Sequence, residues 1–424
     1  MSSWTPASSL LADTSAPPHL LRRASQDPAM AAPVDDAPPR LGVRRVGRRR
    51  ALIMQRRLTA YRLPLYEAMR ERLADAGIEL TLVHGDPTAA EATKRDEGEL
   101  DWAVRVKNRY VQVGDTMLCW IPTPRSVRDA PLVVLPQENS IVSNYPVLMA
   151  PRRPGRRVAF WGHGANLQSR DAHGPRERWK RLWMDRVDWW FAYTETTVAL
   201  LAGRGIPGGR ITCLDNAIDT RGFRRELESV PAGDLAALRA RHALPDDAPL
   251  GVFCGSLYPD KRLDLLVDAC EQVRARVPGF HAALIGDGPD MAWLRERVRD
   301  LPWIHVTGAL RGAPKAAWFR AATLVLNPGL VGLGILDALV AGLPLVTTRG
   351  ARHSPEIAYL RDGVNGALAG DSAEAFAQAV AGLLADPARL RAMSEAARVD
   401  GTRYTIEHMA ERFADGIVRA MPVA

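Results

Sequence analysis

The sequence predicts an α/β protein of two globular domains, on three observations. The chain has 424 residues, more than one domain normally holds. From residue 250 onward, short apolar runs alternate with amphipathic stretches, the pattern of parallel strands joined by right-handed crossovers. Between Leu326 and Val346, a glycine-punctuated loop feeds an apolar helix that carries one carboxylate, Asp337. Glycines that let the backbone approach a ligand, placed just before a helix N-terminus, make an anion site. The same stretch is too interrupted to span a membrane, which takes roughly twenty apolar helical residues. Pro328, Asp337, Gly342 and Pro344 all break it.

Composition narrows the class. Hydrophobic residues at 47 % and charged residues at 25 % are those of an ordinary soluble protein. The net charge of +8, with Arg exceeding Lys, favours anionic partners, although the Arg- and Ala-rich bias of a GC-rich genome accounts equally for most single arginines. Cys119, Cys213, Cys254 and Cys270 show neither metal nor redox spacing, which fits a reducing, cytoplasmic setting without zinc. No Asp-x-Asp pair follows a strand, and no metal cluster or Gly-x-Ser-x-Gly elbow is present. Phosphate charge would then be balanced by basic residues and helix termini, with no metal and no cofactor.

Residues 1–39 are rich in Ser, Ala and Pro, which predicts disorder, and no apolar core there makes a secretory signal; Met30 is an alternative start. Six arginines between Arg40 and Arg50 suit anionic lipid heads, or equally a solvated lead-in to the first strand. They lack interleaved aromatics, which argues against nucleic acid.

Ala51–Met54, Ile78–Val83, Val104–Val113, Met117–Ile121, Leu132–Leu135, Val158–Trp161, Val187–Tyr193 and Ile211–Leu214 read as strands of a first domain. A helix over Leu65–Ala76 ends at Gly77, and another ends near Gly203. The polar stretch 224–247 is the junction. Leu250–Cys254, His281–Ile285, Ile304–Val306, Thr323–Leu326 and Leu343–Thr347 are the second domain's strands, with helices over Leu263–Val277 and Asp290–Val298. The boundaries are an extension 1–49, domains 50–225 and 226–405, and a helical tail 406–424.

In such sheets ligands bind beyond the carboxyl ends of the strands. The loop Gly255–Arg262 lies there. Lys261 and Arg262, placed in the first turn of the next helix, are cations the helix dipole disfavours unless an anion faces them. The alternative is a surface pair capped by Asp260. The turn Ile285–Pro289 is better explained by turn geometry than by ligand contact. His163, between two glycines at a strand end, is open to both a structural and a catalytic role.

Taken together, these residues resemble the retaining GT-B glycosyltransferases of family 4 across about residues 50–410. The resemblance is carried by Gly255 through Lys261, Gly286 through Pro289, Gly308, Pro328 through Pro344, Pro355-Glu-Ile357 and Asn365-Gly366. Tyr61 through Pro64, Trp161 through Gly164, Gly205 through Pro207 and Asn216 through Asp219 extend it to the first half. It implies two Rossmann-like domains facing a central cleft, the first for the acceptor and the second for a nucleotide diphosphate sugar. It implies that Gly255, Lys261, Arg262 and the amides of Val331, Gly332 and Leu333 form the diphosphate site, Asp337 binds the ribose, and Gly308 and Leu310 flank the base. His163 would lie near the transferred sugar and, with Lys261, carry catalysis. Acceptor loops would include Tyr61, Arg62 and Glu138. The tail helix would cross back to the first domain.

The sequence departs from the family at Ser256, where a basic residue is common, and at Gly329. The family often has two glutamates spaced as Gly329 and Asp337 are; Glu356 and Glu138 are the candidate substitutes. The resemblance implies transfer of a hexose to a glycan or lipid-linked acceptor at the cytoplasmic face, in cell-surface polysaccharide or glycoconjugate synthesis. A nucleotide-sugar epimerase and a non-catalytic sugar-nucleotide binding subunit are the alternatives.

Overall fold

The computed structural model describes residues 49–92, 96–114, 116–164 and 175–422. The disorder and alternative start expected within residues 1–39, and the arginine run up to residue 48, lie outside them. The described residues fall in one compact unit, Gly47–Ala424.

Fifteen strands are present among the described residues. The first nine are β1 (Arg49–Gln55), β2 (Ile78–Gly85), β3 (Val104–Val106), β4 (Arg109–Val113), β5 (Thr116–Trp120), β6 (Leu132–Pro136), β7 (Arg157–Gly162), β8 (Trp189–Ala192) and β9 (Ile211–Cys213). Seven of them form a parallel sheet in the order β3-β2-β1-β6-β7-β8-β9. Its central strands are covered on both faces, so Ala51 to Met54 and Leu132 to Leu135 are buried without alternation.

The expected strand Val104–Val113 is in fact two. Asn108 breaks it by turning its side-chain amide onto the Arg56 and Asp86 carbonyls, at 2.7 and 3.0 Å. β4 then leaves the sheet and pairs antiparallel with β5, exposing Val111, Val113 and Met117.

The second sheet contains β10 (Leu250–Cys254), β11 (His281–Ile285), β12 (Ile304–Gly308), β13 (Leu324–Leu326), β14 (Leu345–Thr348) and β15 (Gly366–Ala369), all parallel, in the order β12-β11-β10-β13-β14-β15. In both sheets the strand order reverses beside the first strand, at β1/β6 and β10/β13. Crevices form at such switch points, beyond the strand ends. The run Leu326–Val346 resolves into the end of β13, a loop, the helix Gly334–Ala341 and β14. No helix among the described residues is long and apolar enough to cross a membrane.

Helices Arg221–Ser229 and Ala232–Arg241 occupy the junction between the sheets. The last helix, Ile406–Ala420, is capped by the Thr405 hydroxyl on the His408 amide and packs on the first helix, Leu63–Asp75. Phe413, fully buried, meets Trp161 and Phe191 with ring centroids 4.9 and 4.4 Å apart.

Candidate functional site

At the end of β10 the chain makes a single 3-10 turn, Pro259–Lys261, and Arg262 adopts a left-handed conformation with φ 53° before the helix Leu263–Arg276. Lys261 and Arg262 therefore precede the helix instead of lying in its first turn, and they diverge. Arg262 donates to the Thr348 hydroxyl at 3.2 Å and to Asp371 at 2.9 and 3.3 Å. Lys261 is only 9 % exposed and donates to the Leu330 carbonyl. Burial pulls its ammonium down to about 8. It is no surface pair with Arg262.

The loop after β13 is held at several backbone groups. Thr348 Oγ1 donates to Pro328 O at 2.7 Å, and Leu330 N to Asp260 O at 2.8 Å. Asn327 Nδ2 joins Lys261 on Leu330 O at 3.2 Å. Val331 N donates to His353 Nδ1 at 3.2 Å, so one of the three amides expected for the diphosphate already has a partner. The amides of Gly332 and Leu333 stand before the helix Gly334–Ala341, where backbone N–H groups have no intrahelical acceptor.

Gly329 explains the departure noted in sequence. A Cβ there would lie 2.2 Å from Asp260 O and 2.4 Å from Lys261 C, both backbone atoms. The Lys261 turn fills the space a glutamate would need. Of the two candidate substitutes, Glu356 is 3 % exposed and accepts from Asn216 Nδ2 at 2.6 Å. Glu138 is more open but lies 3.5 Å from Arg56, which is itself bidentate on Glu91.

Asp337 accepts from Lys315 Nζ at 2.7 Å, and that ammonium sits 4.2 Å from the Phe223 ring centre. Gly286 N donates to Gly308 O at 2.9 Å. A Cβ on Gly286 would fall 1.8 Å from Gly255 O, so the Ile285–Pro289 turn serves to pack on the loop after β10. Leu310 is half-buried against the core beside these strand ends.

At the first sheet's edge, His163 follows β7. Gln137, just after β6, fixes its loop by a reciprocal pair: Gln137 Nε2 donates to Gly164 O at 3.0 Å and Gly164 N to Gln137 Oε1 at 2.8 Å. The His163 and Tyr193 rings are 4.1 Å apart. Arg62, placed on the acceptor side from sequence, is turned inward. It is 8 % exposed, donates to Asn216 Oδ1 at 2.8 Å and lies over Tyr61 and Trp161 at 5.0 and 5.4 Å. Tyr61 is 46 % exposed and stays on the surface. Asn216 thus joins Arg62 of the first domain to Glu356 of the second.

Gln137, Lys315 and His353 did not stand out in sequence; their one signal is position, each within a few residues of a strand end or helix start on the ligand edge. Among the described residues, no group of three or more His, Cys, Asp or Glu is arranged to hold a metal ion.

The family model for glycosyl transferases group 1 matches residues 248–386, which contain the second sheet and the Lys261, Val331 and Asp337 loops. Over that stretch the chain is similar to the group 1 glycosyl transferases. Among curated relatives, a GDP-mannose-dependent alpha-(1-6)-phosphatidylinositol monomannoside mannosyltransferase of Mycolicibacterium smegmatis is 30 % identical over 266 residues, covering 59 % of this chain and 66 % of the relative. A D-inositol 3-phosphate glycosyltransferase of Catenulispora acidiphila is 30 % identical over 234 residues, covering 51 % and 52 %. The chain thus spans less than two-thirds of either relative's length. HepE of Anabaena, solved with UDP, superposes with a TM-score of 0.61 at 14 % identity over 87 % of this chain and 99 % of its own. Sucrose-phosphate synthase of Thermosynechococcus elongatus gives 0.61 at 16 % identity over 86 % and 98 %. The fold is GT-B, with two parallel-sheet α/β domains.

Proposed function

We propose that this protein is a retaining, metal-independent hexosyltransferase that moves a sugar from a nucleotide diphosphate sugar to a glycan or lipid-linked acceptor, in cell-surface polysaccharide or glycoconjugate synthesis. The observation that carries the reading is the convergence, beyond β10 and β13, of one buried lysine and the amides of Gly332 and Leu333 at a helix start. Support for a hexose comes from the named activities of the relatives, one of them a mannosyltransferase dependent on GDP-mannose.

In the proposed reaction the bond from the sugar's anomeric carbon to the diphosphate oxygen breaks, and a bond from that carbon to an acceptor hydroxyl oxygen forms on the same face. The bonding pair leaves with the diphosphate, whose developing charge is met by Lys261 and by the helix Gly334–Ala341 with its leading amides. The acceptor's proton passes to the departing phosphate oxygen. No carboxylate is needed as nucleophile, in keeping with the exclusion of a side chain at Gly329. His163, held by the Gln137 clasp, orients a sugar or acceptor hydroxyl. Asp337, released from or shared with Lys315, takes the ribose hydroxyls, and the Gly308–Leu310 segment takes the base.

The test is a thermal-shift screen against UDP, GDP and their hexose conjugates, with and without magnesium. A ligand of the folded state raises the melting temperature. We expect one nucleotide sugar to stabilise the protein without magnesium, and Lys261→Ala to abolish the shift. Stabilisation by none of them sinks the reading. Binding of a sugar nucleotide without transfer to any lipid-linked or glycan acceptor would favour a non-catalytic binding subunit.

A further inference from the structure

The Val331 amide and His353 are far apart in sequence and meet because β14 lies beside β13. The bond between them fixes the histidine's tautomer. Val331 N is the donor, so Nδ1 accepts; the ring proton is then on Nε2, which donates to Thr348 O at 2.8 Å. The next residue closes the clasp, Ser354 N donating to Val331 O at 2.9 Å. Thr348 also grips the other end of the loop through Pro328 O. The imidazole therefore ties the far side of the loop to the strand that anchors its near side.

We propose that His353 is a positioning residue for the donor: its neutral imidazole holds Val331 so that the adjoining amides of Gly332 and Leu333 are presented to the diphosphate. This rests on the nucleotide-sugar reading above. A protonated ring has no acceptor left for Val331 N, so the arrangement exists only while His353 is neutral. The charged groups that act on it are Lys261 from the loop after β10, which opposes protonation, and Asp371 from the loop after β15, which favours it and is itself engaged by Arg262. Burial is the largest influence and lowers the affinity for the proton below the ordinary histidine value.

Titration calorimetry with UDP and with GDP at pH 7.5 and 5.5, on the wild type, H353A and H353N, tests this. The asparagine carbonyl reaches the Val331 amide without titrating. We expect H353A to weaken nucleotide binding about tenfold at pH 7.5, the loss of one hydrogen bond that orders a binding loop. H353N should stay within about threefold of the wild type. Any affinity that the wild type loses and H353N keeps as the pH falls below the ordinary histidine range reports protonation of His353, since phosphate and Lys261 titrate alike in both. Equal binding by H353A and the wild type at pH 7.5, or a loss in H353N as large as that in H353A, overturns the inference. If H353A fails to fold, the H353N comparison decides. A wild type that binds neither nucleotide overturns the donor reading and this inference together, an outcome distinct from wild-type binding that the variants leave unchanged.

Discussion

At the scale of single residues, the site depends on groups whose partners are backbone atoms of the same protein. Lys261 is the leading case. Its charge is disfavoured by burial, and its folded value of about 8 lies below that of a free lysine. The free protein therefore begins to lose this cation as the pH rises through about 8. A diphosphate favours the charged form and raises the value again. Nucleotide binding should weaken above about pH 8 and be accompanied by proton uptake near pH 8.5. Calorimetry in two buffers of different ionisation enthalpy measures that uptake; an identical apparent enthalpy in both would show that Lys261 does not face the phosphates.

Lys261 was legible in the sequence because a cation expected at a helix start runs against the helix dipole, and its loop lies on the ligand edge of the sheet. Its burial was not, since the Leu330 carbonyl that accepts its hydrogen bond comes from a loop that sheet order alone brings alongside. His353 was hidden for the same reason. Arg62 was misplaced because sequence cannot say that Asn216 and the Trp161 face would enclose it.

At the scale of elements, legibility followed burial on both faces. β1, β6, β10 and β11 are short apolar runs and stand out. β15 is Gly366-Ala-Leu-Ala369, too small and weakly apolar to be separated from a turn. The break between β3 and β4 is set by hydrogen bonds from Asn108 to residues distant in sequence, which no local pattern records.

The last helix is the element whose role is most readily measured. Phe413 fills the space between Trp161 and Phe191, and Phe413→Ala should cost about 3–5 kcal/mol in urea denaturation. A loss below about 1 kcal/mol, the range of an exposed site, would mean that the helix is not docked on the first sheet.

At the scale of the whole molecule, Asn216 is a buried polar link between the domains. Its side chain accepts from Arg62 and donates to Glu356, while its carbonyl accepts from the Tyr359 hydroxyl at 2.9 Å. Asn216→Ala would leave a buried guanidinium and a buried carboxylate each short of a partner, a loss of about 3 kcal/mol or more. A double-mutant cycle of Asn216→Ala with Glu356→Ala should show coupling of about 1–3 kcal/mol. Strict additivity of the two would deny the bond. The overall GT-B arrangement was readable through family resemblance. This polar bridge was not, since it joins residues from opposite halves of the chain.

The return of the last helix also orders events in time. Trp161 and Phe191 belong to the first domain, yet the side chain that covers them, Phe413, is made only after the entire second sheet. During translation at about 5–20 residues per second, that aromatic surface waits on the order of ten to forty seconds for its cover. The nascent first domain is thus an incomplete core presented to the cell, and a chaperone that binds apolar surface has its longest opportunity there.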